Sequence, residues 1–258
     1  MRRIRLVIEY DGTDFVGWQR QANGPSVQSA IEAAITQMTG ESLALRGAGR
    51  TDSGVHAEGQ VAAFTTSSSV APLGFLRGLN ALLPRTIAVV AADEVPLDFD
   101  PRRDARGKLY RYRIWNGEAR RPIQHRTEWH LLPLLDCDCM RAAAPLLVGR
   151  HDFAAFQAAD CDRKNSVRTI YGVEVVGQAG AIDLSVYGDA FLKHMVRILV
   201  GTLVDIGRGR AEPSLIPALL QQGDRRVAGP TAPPHGLTLV RVDYDLALPT
   251  RWPRPPVL

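Results

Sequence analysis

The chain is poor in the features that mark several function classes. It has three cysteines in 258 residues, Cys137, Cys139 and Cys161. An odd count leaves one thiol over, and the gap between the first two is too short for a Cys-x-x-Cys zinc or redox motif, so all three read as free thiols. No uninterrupted apolar stretch reaches spanning length, and Arg2, Arg3, Arg5 and Glu9 break up the start of the chain where a leader would carry its apolar run. These absences point to a soluble cytoplasmic protein without a membrane partner. Six histidines (His56, His125, His130, His151, His194 and His235) show no zinc spacing. The nucleotide loops are missing too. No Gly-Lys-Ser/Thr occurs in the glycine-rich stretch, and Asp52 stands where a dinucleotide fingerprint needs its third glycine.

Strong charge bias is also lacking, with 31 Lys and Arg against 27 Asp and Glu and a net charge of +4. The distribution is uneven, however. From Arg102 to Arg126 nine cations face two acids, Asp104 and Glu118. Such a run fits a polyanionic partner, because each neutralised phosphate releases a counterion; an ordinary solvated face has the same composition.

What the chain does have is a hydrophobic content of 45%, enough for a packed core, and a regular alternation of element signals. Ile4 to Tyr10 alternate as a strand, and Ser26 caps a helix with Val27, Ile31, Ala34, Ile35 and Met38 on one side, stopped by Gly40. A short strand near 42–46, a strand from Gln60 to Thr66, a helix from Pro72 to Pro84 and a strand from Ile87 to Val95 follow. This is the split β-α-β order of a ferredoxin-like unit. Pro96 to Arg103 reads as a link, giving two domains, 1–102 and 103–258. The second opens on a strand, Gly107 to Trp115, then shows a helix pattern at 136–147 and paired strands at 169–176 and 181–187. A helix running from Phe191 to Val204 places Lys193 and Arg197 together at i, i+4. A strand ends at Val242, and a proline-rich tail from Pro249 to Leu258 reads as a surface extension. The fold class is therefore α+β: two ferredoxin-like domains with antiparallel sheets around a central cleft.

One stretch carries the chemistry. Gly47, Gly49 and Gly54 bracket Asp52, and glycines permit the tight turns and positive φ that present a carboxylate on a loop. Arg50 beside it holds such a carboxylate charged or clamps a ligand phosphate. A glycine-rich hairpin whose Asp caps its own turn has the same pattern. Tyr110 and Tyr112 share one face of their strand, either as a stacking platform for an unpaired base or as packing residues. Arg197, on an otherwise apolar helix, needs a carboxylate or phosphate if buried.

The run Gly49 to Ala57 resembles the active-site signature of the tRNA pseudouridine synthase A family, with Ser53 in place of the more usual Ala. Further landmarks follow in chain order at 107–114, 149–156, 190–201 and 236–242, so the resemblance covers nearly the whole chain. It implies an isomerase that converts uridine to pseudouridine on the 3′ side of the tRNA anticodon stem-loop. It further implies Asp52 as nucleophile, Tyr110 against the target uracil, Arg197 paired with Asp52 and Leu237 on the substrate ring; Arg50 is a candidate substrate contact on its own charge. The partners it implies are tRNA and a second copy in a homodimer, with no metal, nucleotide or redox cofactor. Two other classes compete on the residues alone. A non-catalytic RNA binder would hold tRNA and form no product, and a carboxylate-using hydrolase would depend on Mg²⁺.

Overall fold

The first strand shows how the sequence builds the sheet. In β1 (Arg2–Tyr10) Ile4, Leu6, Ile8 and Tyr10 are buried, while Arg3, Arg5 and Glu9 on the other face are not. The computed structural model describes residues 1–132, 134–161 and 165–244, so the proline-rich tail and two cations of the loop before β8, Arg163 and Lys164, lie outside the described residues. α1 (Val27–Thr39) starts where Ser26 and Ser29 exchange bonds between hydroxyl and backbone N–H, each 3.2 Å, and ends at Gly40 with φ 75°. β2 (Arg46–Gly47), β3 (His56–Thr66), α2 (Pro72–Leu82) and β4 (Ile87–Val95) complete the first half. The second half contains β5 (Gly107–Trp115), β6 (Trp129–His130), α3 (Cys137–Ala143), β7 (Gly149–Asp152), β8 (Val167–Gln178), β9 (Ala181–Gly188), α4 (Met195–Gly207), α5 (Leu215–Gln222) and β10 (Leu237–Asp243). No helix among the described residues is long and apolar enough to cross a membrane.

The strands form one sheet in the order β4-β1-β3-β10-β5-β9-β8-β7, with β2 on β3 and β6 on β5. The first half supplies β4-β1-β3-β2 and the second β10-β5-β9-β8. Each is the order of a split β-α-β unit, as the α+β reading expects. The two are fused along β3 and β10, the parallel pair at His56–Thr238 and Ala57–Leu239. This seam exists because β2 is only two residues long. It covers Ala62 and Ala63 and leaves the start of β3 open to β10. The expected strand at 42–46 is thus corrected to Arg46–Gly47, and β3 begins four residues earlier than its β-branched and aromatic residues indicate.

α4 requires a second correction. The apolar stripe suggests a helix from Phe191, but His194 has φ 62° and the helix begins at Met195. Lys193 is therefore not one turn from Arg197 on a shared face. It pairs with Asp160 at 2.6 Å instead.

Candidate active site

The loop between β2 and β3 is held from both sides. Ala48 donates to the Val61 carbonyl and the Gln60 side chain to the Gly49 carbonyl, while Trp18 N–H donates to the Thr51 carbonyl at 3.1 Å. The hydroxyls of Tyr10 and Thr51 share a bond of 2.8 Å, and the Ser53 hydroxyl donates to the Phe15 carbonyl. The aromatic segment at 15–18 is thus a buried scaffold for this loop. Of the three bracketing glycines only Gly54 has positive φ, 75°. Gly47 is required for space, because a Cβ there would stand 2.6 Å from the Trp18 indole nitrogen. Val55 N–H donates to the Asp52 carbonyl, closing the turn that leaves the Asp52 carboxylate facing outward.

That carboxylate meets the first turn of α4. Arg197 Nη1 donates to Asp52 Oδ2 at 3.1 Å, and Arg197 Nε donates to the Ala232 carbonyl at 2.7 Å. Ala232 N–H returns a bond to the Arg197 carbonyl, so helix and proline-rich loop grip each other. The guanidinium is mostly buried, and these two acceptors satisfy what burial would otherwise leave costly. His194, one residue before the helix, places Nε2 3.7 Å from the same oxygen. The positive end of the helix dipole therefore faces the carboxylate along with the guanidinium and the imidazole.

β5 and β10 form the floor. Leu237 lies opposite Tyr112 and Leu239 opposite Tyr110, so all four share one face. The two tyrosines differ in use. Tyr112 is fully buried and donates to the Pro233 carbonyl at 2.8 Å, fixing the proline-rich loop. Tyr110 packs edge-on against Phe191 with ring centroids 5.1 Å apart, and its hydroxyl has no hydrogen-bond partner among the described residues. Burial raises the Tyr110 pKa, with Tyr10 and Asp52 adding to the shift. Asp52 is close enough for its charge to be felt at that phenol.

The structure places Asp52 and Arg197 in contact, with Tyr110 and Leu237 on the strands that form the floor. Arg50 is exposed and makes no ion pair among the described residues. Lys108, buried on the tyrosine face of β5, has its Nζ 3.4 Å from where a Gly49 Cβ would sit. His194 carries no motif of its own in the sequence, and its approach to the Asp52 loop rests on a contact between the two halves of the chain. The basic run from Arg102 to Arg126 is largely used within the fold. Arg103, Arg113, Arg121 and Arg126 pair with Asp104, Asp183, Glu128 and the Asp11–Asp14 pair, and Arg111 pairs with Glu58. Arg102, Arg106 and Arg120 stay exposed, without a carboxylate partner among the described residues.

A family model described as tRNA pseudouridine synthase matches residues 6–104 and 143–245. The chain belongs to the tRNA pseudouridine synthase family. Its two matched segments divide the site between them: the Asp52 loop lies in the first, and His194, Arg197 and Leu237 in the second. A protein of Myxococcus xanthus named tRNA pseudouridine synthase A is 50% identical over 254 residues, 98% of this chain and 96% of that one. A protein of the same name from Geotalea uraniireducens is 50% identical over 244 residues, 95% of this chain and all of the relative.

Proposed function

We propose that this chain is an isomerase that converts uridine to pseudouridine in the anticodon stem-loop of tRNA, with Asp52 as its nucleophile. The single observation that carries the reading is the Asp52 carboxylate, set in a turn of the first half and bonded at 3.1 Å to Arg197 of the second. Family membership supports the reaction; this contact supports the residue.

A uridine stacked in the stem must be extruded first, at a cost of about a few kcal/mol. Tyr110 and Leu237, on one face of the seam, offer an apolar bed for the ring, and the exposed Arg50 a cation for a flanking phosphate. Asp52 attacks the nucleoside or assists departure of the base, and the N1–C1′ bond breaks. The uracil turns while held, and C5 bonds to C1′. Loss of the C5 proton and gain of one at N1 balance the reaction, so it consumes no electron acceptor, nucleotide or water. The units 1–102 and 103–258 each supply part of the site in this reading, and two copies of the chain bind the RNA together.

The test is incubation with unmodified tRNA transcripts followed by chemical mapping of pseudouridine. Product confined to the anticodon stem-loop is expected, and binding without product would leave a non-catalytic RNA binder. Light scattering of the purified protein checks the dimer; a mass near 28.2 kDa would remove it.

A further inference from the structure

The isomerisation above leaves one proton without a carrier, and the inference drawn here rests on that reading. C5 must come within bonding distance of C1′, the atom next to which Asp52 acts. A group that accepts the C5 proton therefore lies within a few ångström of the Asp52 carboxylate. Among the described residues two side chains make ion contacts with it, Arg197 at 3.1 Å and His194 at 3.7 Å. A guanidinium stays protonated and offers no lone pair to a proton. An imidazole does.

The backbone puts that imidazole where it is. His194 holds φ 62°, a left-handed conformation that non-glycine residues seldom adopt, in the step before α4. Its side chain is 28% exposed, enough to meet a substrate. The charged groups around it are Asp52 of the loop, Arg197 of α4, Lys193 of its own segment and Asp160 of the segment before β8. Burial lowers its pKa below the ordinary histidine value; Asp52 opposes this, and Arg197 and Lys193 reinforce it. The ring is then neutral and ready to accept. Tyr110, whose phenol feels the Asp52 charge, is pushed by burial toward the protonated phenol, which is a poor base.

We propose that His194 is the proton carrier of the isomerisation: Nε2 takes the proton from C5 once the C5–C1′ bond has formed, and the imidazolium passes it to N1. The electron pair of the broken N1–C1′ bond stays on N1. The pair released by the C5–H bond restores the ring double bond. The proton ends on N1, and the imidazolium formed on the way stands beside the Asp52 carboxylate.

His194→Gly is the informative variant, since glycine keeps the left-handed backbone and opens room for added imidazole. It is assayed as the full chain on tRNA transcripts carrying protium or deuterium at uridine C5. Expected are wild-type tRNA binding and a kcat lower by about a hundredfold or more. A primary deuterium isotope effect absent from the wild type should emerge, and imidazole should restore activity. A kcat within about threefold of wild type overturns the proposal; so does a loss that imidazole does not relieve. An isotope effect that emerges in Tyr110→Phe and not in His194→Gly would assign the proton to the phenol instead. Wild-type product formation in the same assay separates this outcome from failure of the functional reading itself.

Discussion

Asp52 is one carboxylate with two partners of unequal kind, Arg197 permanently charged and His194 able to exchange a proton. Replacement by Asn keeps the shape and the Arg197 contact but removes the nucleophile of the proposed function. Asp52→Asn is expected to lower turnover to background with tRNA affinity changed by less than about tenfold; near-normal turnover would remove Asp52 from the chemistry. Tyr10 makes a separate prediction. Its hydroxyl is buried against Thr51, and burial raises its pKa from 10.0 to about 12. The unfolded chain releases this proton first, so Tyr10 contributes stability in full below pH 10, and the contribution is lost as pH rises toward 12. The loss is about 2 to 3 kcal/mol. Urea midpoints of wild type and Tyr10→Phe across that interval should converge, and a constant gap would refute the assignment.

At the scale of elements, α4 joins the loop to the rest of the protein. The left-handed His194 precedes its first turn, and the side chains of His194 and Arg197 meet one oxygen. Further along, Gly201 lets the proline-rich loop approach closely, since a Cβ there would stand 1.8 Å from the Pro230 carbonyl oxygen. Gly229 N–H donates to the Thr202 hydroxyl in the same contact. Gly201→Ala is therefore expected to push the loop off the helix, costing about 1 to 3 kcal/mol by overpacking. It should also lower kcat, because the Ala232 carbonyl that orients Arg197 moves with the loop. Thermal melting and kinetics together check this; an unchanged kcat would mean the loop does not position Arg197. His56 makes a parallel tie, accepting from Gly12 N–H at Nδ1 and lying 2.7 Å from the Arg126 carbonyl at Nε2.

For the whole molecule, the seam between β3 and β10 matters more than either half alone. The first half contributes Asp52 and the second contributes Tyr110, His194, Arg197 and Leu237. The net charge is only +4, and many arginines are paired within the fold, so exposed groups such as Arg50, Arg102, Arg106 and Arg120 are the cations the proposed function leaves for RNA. The KM for tRNA should rise by about tenfold or more between 50 and 200 mM salt. The value of kcat should respond far less, since the mostly buried Arg197–Asp52 pair is poorly screened. A flat KM would show that phosphate contacts carry little of the binding.

Local pattern was enough for much of this. The alternation in β1, the Ser26 cap, the prolines around α2 and the run from Gly107 to Trp115 each satisfy their rules within a few residues of chain. The order of elements then follows, because short-range sterics and hydrogen bonding decide it, whereas Asp52 is singled out by the resemblance of its run to a family signature. What sequence could not decide depends on groups distant in the chain. The start of β3 pairs with β10, a strand from the other half of the chain, which no local pattern registers. Arg111, Arg113 and Arg126 read equally as a polyanion-binding patch or a solvated face until the fold brings Glu58, Asp183 and Asp11 to them. The place of His194 depends on one backbone angle at the mouth of α4, which periodicity does not register. Side-chain period and turn chemistry are properties of neighbours in sequence, whereas the company a charge keeps is a property of neighbours in space.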